Sequence, residues 1–274
     1  MDFGIALNIT LFMVSVYCII NSLEILAVSR GHIPLVPNGV YESHYPGPVS
    51  RLFALATPNG FPSMFGSAHW LVVAACMLRL VCAIGTMAAV VSGLFPWQPF
   101  LVALTALTLF VNYARPVGGD GAMQMGMVVM LSITLATLLG ATPELYTIAA
   151  IFIVAQSTLA YFAAAVSKSM SPTWRKGGVV AKVVTTEAYG GEFFANFFRR
   201  HPVVGKIGTY SVIAVQFLFP LWIILPDPLL FALIAVFIGF HSMLAISMNL
   251  NDFPWTFLAP YPLILHFGLN GTYL

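Results

Sequence analysis

The sequence predicts an all-α, polytopic transmembrane helix bundle of about seven spans with amphipathic surface helices. Three observations carry that expectation. Of the 274 residues, 59% are hydrophobic and only 7% are charged, against roughly 25% charged in an ordinary soluble domain. Mean hydropathy is +0.92. Apolar runs long enough to cross about 30 Å of hydrocarbon, at 1.5 Å per helical residue, recur along the chain. One membrane domain over residues 1–274 is the economical organisation, with the lipid bilayer as its first partner. Nucleic acid is not expected, since the formal net charge is only +2 and no nucleic-acid-binding motif is present.

Taken in order, the first span runs from about Ile5 to Val28. It follows no basic leader and precedes no small-residue cleavage site, so it reads as a retained span rather than a signal peptide. Residues 29–67, rich in Pro, Gly and aromatics, read as a folded loop. The next spans are His69 to Leu94, the short Pro99 to Asn112, Ala122 to Leu139 and Glu144 to Lys168. Residues 169–202 mix Trp174, Phe193, Phe194, Phe197 and Phe198 with Arg175, Lys176, Lys182, Arg199 and Arg200. That is the composition of one or two helices lying in the headgroup plane. Val203 to Leu225 and Pro228 to Leu250 complete the spans. The remainder, Phe253 to Phe267, is apolar but interrupted by Pro254, Pro260 and Pro262, the pattern of an interfacial or re-entrant tail.

With seven spans, every Lys and Arg except the intramembrane Arg79 falls on one side. The positive-inside rule makes that side cytoplasmic and the N-terminus external, in a plasma membrane such as the bacterial inner membrane. No internal repeat is visible, which argues against an inverted-repeat transporter.

Ionisable groups at membrane depth are costly and carry a functional hypothesis by default. Glu24 and Arg79 are placed to pair across the bundle, either structurally or at a substrate site. Ser157, Tyr161, Ala164 and Lys168 fall on one helical stripe. Lys168 is then either a snorkelling boundary residue or a partly desolvated amine able to act as a base. His241, in mid-span, is a hydrogen-bonded core imidazole or a proton-transfer group. Asp120, after Arg115-Pro116-Val117-Gly118-Gly119, sits where a carboxylate would cap the next helix, unless it faces a cavity. Met123, Met125, Met127 and Met130 point to different sides of a helix, so soft packing is expected rather than a copper site. Cys18, Cys76 and Cys82 show no metal-ligand or disulfide spacing, and no metal site is expected.

The stretch Tyr161-Phe162-Ala163-Ala164-Ala165-Val166-Ser167-Lys168, followed by Trp174-Arg175-Lys176-Gly177, Gln216, Pro220, Phe240-His241 and Phe253-Pro254, resembles the HTTM family. This is the membrane domain shared with vitamin K-dependent γ-carboxylase. The resemblance covers roughly residues 112–262. It implies a catalytic base at Lys168, with His241 lining the same cavity. Tyr161, Trp174 and Asp120 would contribute to a cofactor site for a quinone or vitamin K-like ligand.

The chain departs from the carboxylase at Gly119-Asp120-Gly121-Ala122, where that enzyme carries an assisting histidine, and at Gln216, where the family has an acidic residue. It also lacks the β-rich region that holds a peptide substrate, so peptide carboxylation is not expected. The resemblance places the Lys168 end on the lumenal side, opposite to the charge count. Two functions follow as expectations. One is an HTTM-like protein with a quinone- or lipid-sized cavity and proton-coupled redox chemistry. The other is a non-catalytic transmembrane subunit that assembles or stabilises a larger electron-transfer or light-harvesting complex.

Overall fold

A computed structural model of the chain describes residues 1–29, 61–114, 121–186, 192–248 and 250–270. Asp120 and residues 30–60 of the 29–67 loop lie outside the described residues, while 61–67 are helical rather than loop. Every regular element among them is helical: α1 (Phe3–Ser29), α2 (Phe61–Ser92), α3 (Gln98–Ala114), α4 (Gly121–Leu138), α5 (Pro143–Met170), α6 (Pro172–Arg175), α7 (Val179–Val184), α8 (Glu192–Arg200), α9 (Pro202–Leu218), α10 (Asp227–Met248), α11 (Phe253–Leu258) and α12 (Tyr261–Asn270). A 3₁₀ turn, Phe219–Ile223, extends α9.

Six of these helices are long and apolar enough to cross a membrane, and α3 is the shorter seventh. The protein is therefore a multi-pass integral membrane helix bundle. Each boundary has a local cause. In α5, Thr142 caps the N-terminus by accepting from the Leu145 amide at 3.4 Å, Pro143 and Glu144 occupy the first turn, and Lys168 lies in the last. These residues suit the two ends of the helix dipole.

Successive helices α1 to α5 pack on their neighbours, and α9 returns onto α5. Several of their polar side chains find hydrogen-bond partners within the bundle. Ser15, Thr86 and Thr108 donate to the carbonyl four residues back. Thr105 and Thr134 join α3 to α4 at 2.8 Å. Met125 accepts from Ser157 at 3.6 Å, and Met130 from Cys18 at 3.7 Å, so these thioethers serve as polarizable packing.

Segment 169–202 contains three short helices, where the composition suggests one or two. Gly177 and Gly178 both take left-handed backbone between α6 and α7, at φ 75° and 79°, a conformation glycine adopts without a Cβ clash. The Tyr210 hydroxyl donates to the Arg175 carbonyl at 3.0 Å and ties this corner to α9. In α8, Phe193 and Phe197 are exposed beside the terminal Arg199 and Arg200.

The C-terminal tail is the main structural addition to the sequence reading. Pro254 and Pro262 sit in the first turns of α11 and α12, where a missing N–H costs little, and Pro260 falls between the two helices. The pair packs among α1, α4, α5 and α10, an arrangement compatible with the re-entrant alternative. Tyr261, Leu263, Ile264 and Phe267 are buried in the main core. Thr10 donates to the Ala259 carbonyl at 2.8 Å, and the Met1 carbonyl accepts from Asn270 at 3.1 Å.

Gly126 of α4 admits this insert. A Cβ there would lie 2.9 Å from Tyr17 Cε1 and 3.2 Å from Thr256 Cγ2. Gly126→Val is expected to destabilise the bundle by about 1–3 kcal/mol through overpacking, read as a lower unfolding temperature in detergent. An unchanged transition would show that α11 can yield at this contact.

Candidate functional site

Tyr161 projects from α5, His241 from α10 and Tyr261 from the first residue of α12. The inserted tail brings the three together. The Tyr161 hydroxyl lies 2.5 Å from His241 Nε2 and 2.9 Å from the Tyr261 hydroxyl. All three residues are buried, with exposures of 3%, 2% and 3%.

Aromatic rings enclose the group. Phe257 stacks on the imidazole at 4.6 Å and 10°, Phe219 packs on Tyr161 at 4.0 Å, and Phe237 meets Tyr161 edge-on at 5.1 Å. Such an enclosure excludes water and strengthens each polar contact inside it.

Two hydrogen arrangements satisfy this trio while keeping every group neutral. In one, Tyr261 donates to Tyr161, Tyr161 donates to Nε2, and the imidazole proton is on Nδ1. In the other, Nε2 carries the proton and donates to Tyr161, which donates to Tyr261. Passing from the first to the second takes up one proton at Tyr261 and releases one at Nδ1. The geometry is thus that of a proton relay. Its far end is open, because His241 Nδ1 is buried without a hydrogen-bond partner.

Lys168 stands elsewhere on the same helix. It lies seven residues beyond Tyr161, about 10 Å along the axis, and its ammonium sits 5.3 Å from the centre of the Trp174 ring. That contact is a cation–π pair at the end of the span. The sequence-predicted residues therefore fall into two pairs, Tyr161 with His241 and Lys168 with Trp174. Between them α5 carries Ala163, Ala164 and Ala165, which leave little side-chain bulk. Asp120 is outside the described residues.

Sequence reasoning missed Tyr261. It lay in a tail whose prolines suggested an interfacial or re-entrant segment without showing which side chains it buries. Phe257 was missed for the same reason.

The expected pairing of Glu24 with Arg79 does not form. Glu24 accepts from Asn251 Nδ2 at 3.0 Å, and Arg79 donates instead to Asn21 Oδ1 at 3.2 Å. Asn21 lies on the α1 face that meets α2, whereas Glu24 is turned toward the chain leaving α10. Among the described residues, no three His, Cys, Asp or Glu side chains converge as metal ligands. No protein-family model matches the chain, and comparisons with curated proteins and with solved structures return no match.

Proposed function

We propose that the protein binds a quinone-class lipid within its bundle and that the Tyr261–Tyr161–His241 relay exchanges a proton with that ligand's oxygen, in support of proton-coupled redox chemistry. The observation that carries this reading is the buried, unpartnered Nδ1 of His241 at the end of a two-tyrosine chain. Buried polar atoms are ordinarily hydrogen-bonded. A quinone or quinol oxygen is a suitable partner because it accepts in one redox state and donates in the other, as Nδ1 does in the two relay arrangements. Apolar walls with few convergent polar groups are the usual surroundings of such ligands.

Lys168 then forms a second polar station, two turns away on α5 at the boundary. A partly desolvated amine there can take a proton from a hydroxyl presented near the span end. The resemblance to the HTTM family supports the same assignment of Lys168.

The test uses the purified chain in detergent with a short-chain quinone as probe, followed by proteoliposomes given the quinol and ferricyanide, which takes the two electrons as the quinol gives up its two protons. Quenching of tryptophan fluorescence is expected to report saturable binding, weakened at least tenfold by His241→Leu, a loss of about 1.4 kcal/mol or more. Lys168→Ala is expected to retain that binding and abolish quinol-dependent proton release. Absence of saturable binding to the wild-type chain would remove the reading, and unchanged proton release in Lys168→Ala would remove the lysine from the chemistry.

A further inference from the structure

A second polar constellation lies among α1, α2 and α3, apart from the relay. Arg79, near the middle of the second long span, is fully buried at 0% exposure. Its Nη1 donates to Asn21 Oδ1 at 3.2 Å, while Nε and Nη2 have no partner. These two nitrogens form one edge of the guanidinium. Their parallel N–H groups match the two oxygens of a carboxylate or phosphate.

More orphaned groups gather at this level. Cys18 of α1 and Thr108 of α3 meet at 3.8 Å, which sets the register of these two parallel helices. One turn further along each lie Ser22 and Asn112. Ser22 Oγ and both terminal atoms of the Asn112 amide are buried and unpartnered. Beside them, Leu26, Val72, Ala75, Cys76 and Val111 form a small apolar cluster separate from the main core.

The charge has no counter-charge among the described residues. Glu24, one turn beyond Asn21, is engaged by Asn251, and it makes no ion pair with Arg79. A guanidinium stays protonated at any accessible pH, and a buried charge without an opposite partner is strongly unfavourable. A fixed cation that presents its bidentate edge near the unfilled Ser22 hydroxyl and Asn112 Nδ2 donors is the chemistry of an anion site.

We infer that Arg79, with Ser22 and Asn112, binds a two-oxygen anionic head, carboxylate or phosphate, inside the α1–α2–α3 cluster. The apolar wall beside it suits an anionic lipid, and a free anion shares the same recognition chemistry. This site does not depend on the quinone reading, since it uses other helices and other side chains.

The experiment measures thermal unfolding of the delipidated full chain in neutral detergent, titrated separately with oleate, phosphatidic acid, acetate and inorganic phosphate. At least one anionic probe is expected to raise the unfolding temperature of the wild-type chain saturably. Arg79→Lys, which keeps the charge and loses the fork, is expected to weaken the response at least tenfold. Arg79→Met is expected to unfold no lower than the wild type without probe, because an uncompensated charge has been removed, and to show no response.

Stabilisation by oleate or phosphatidic acid alone identifies a lipid head, whereas equal stabilisation by acetate or phosphate identifies a free anion. The inference is overturned if no probe shifts the wild-type transition, or if Arg79→Met responds as the wild type does. A large fall in the probe-free stability of Arg79→Met would also overturn it, by showing that the chain itself neutralises the charge. If Arg79→Lys does not fold, the wild-type titration and Arg79→Met decide.

Discussion

Tyr161→Phe is expected to lower the stability of the bundle by about 2–4 kcal/mol, because it strands two buried polar groups at once. The ring remains, so contacts with Phe219, Phe237 and Phe257 are preserved and no cavity opens. What disappears is the one hydroxyl that contacts both His241 Nε2 and the Tyr261 hydroxyl. Each of these is then buried in an aromatic enclosure without that partner. Thermal unfolding in detergent measures the loss. The double variant Tyr161→Phe with His241→Leu should cost less than the sum of the two single changes, since the second removes a group that the first has orphaned. Additive losses, or a wild-type transition for Tyr161→Phe, would show that the trio is not an energetically coupled network. The same variant leaves Lys168 and Trp174 in place, so a functional loss would separate the relay from the boundary station.

A chain ending at Leu250 is expected not to yield a stable bundle. The lost segment contributes Tyr261, Leu263, Ile264 and Phe267 to the main core. In lipid the driving force for this packing is not transfer out of water, because the bilayer interior is as apolar as the side chains themselves. Van der Waals fit and hydrogen bonding carry it instead. Removing the tail deprives Thr10 of the Ala259 carbonyl, Glu24 of Asn251 and Tyr161 of Tyr261. It also leaves the face of α1 that α11 and α12 cover without close contacts. Size-exclusion chromatography of a fluorescent fusion reads the outcome, with the expected result a polydisperse or void-volume species. A monodisperse peak with unaltered unfolding temperature would show that the seven spans suffice.

Much of the fold was legible because a membrane span is written directly in length and apolarity. Six of the seven sequence-derived spans correspond to helices long and apolar enough to cross a membrane, and Pro99 to Asn112 corresponds to a shorter apolar helix. The site was legible only in part. Periodicity places Tyr161 and Lys168 on one stripe of α5, but a stripe does not say which opposing helix meets each turn. Tyr161 meets α10 and α12, whereas Lys168 meets the Trp174 turn just beyond its own helix end. Pairing by charge also failed for Arg79, since the guanidinium found an amide on the adjacent α1 face. The burial of Tyr261 had no local signal, because prolines mark where helices break and carry no information about which way the broken chain turns.

The contact between α1 and α12 has a consequence for how the bundle assembles. The Met1 carbonyl accepts from Asn270 and lies 2.8 Å from His266 Nδ1, and α12 packs along α1. Made earlier than α12, helix α1 therefore waits for it to complete its surroundings. Assembly in the bilayer cannot be strictly sequential, and the Tyr161–His241–Tyr261 trio closes only when synthesis has passed α12.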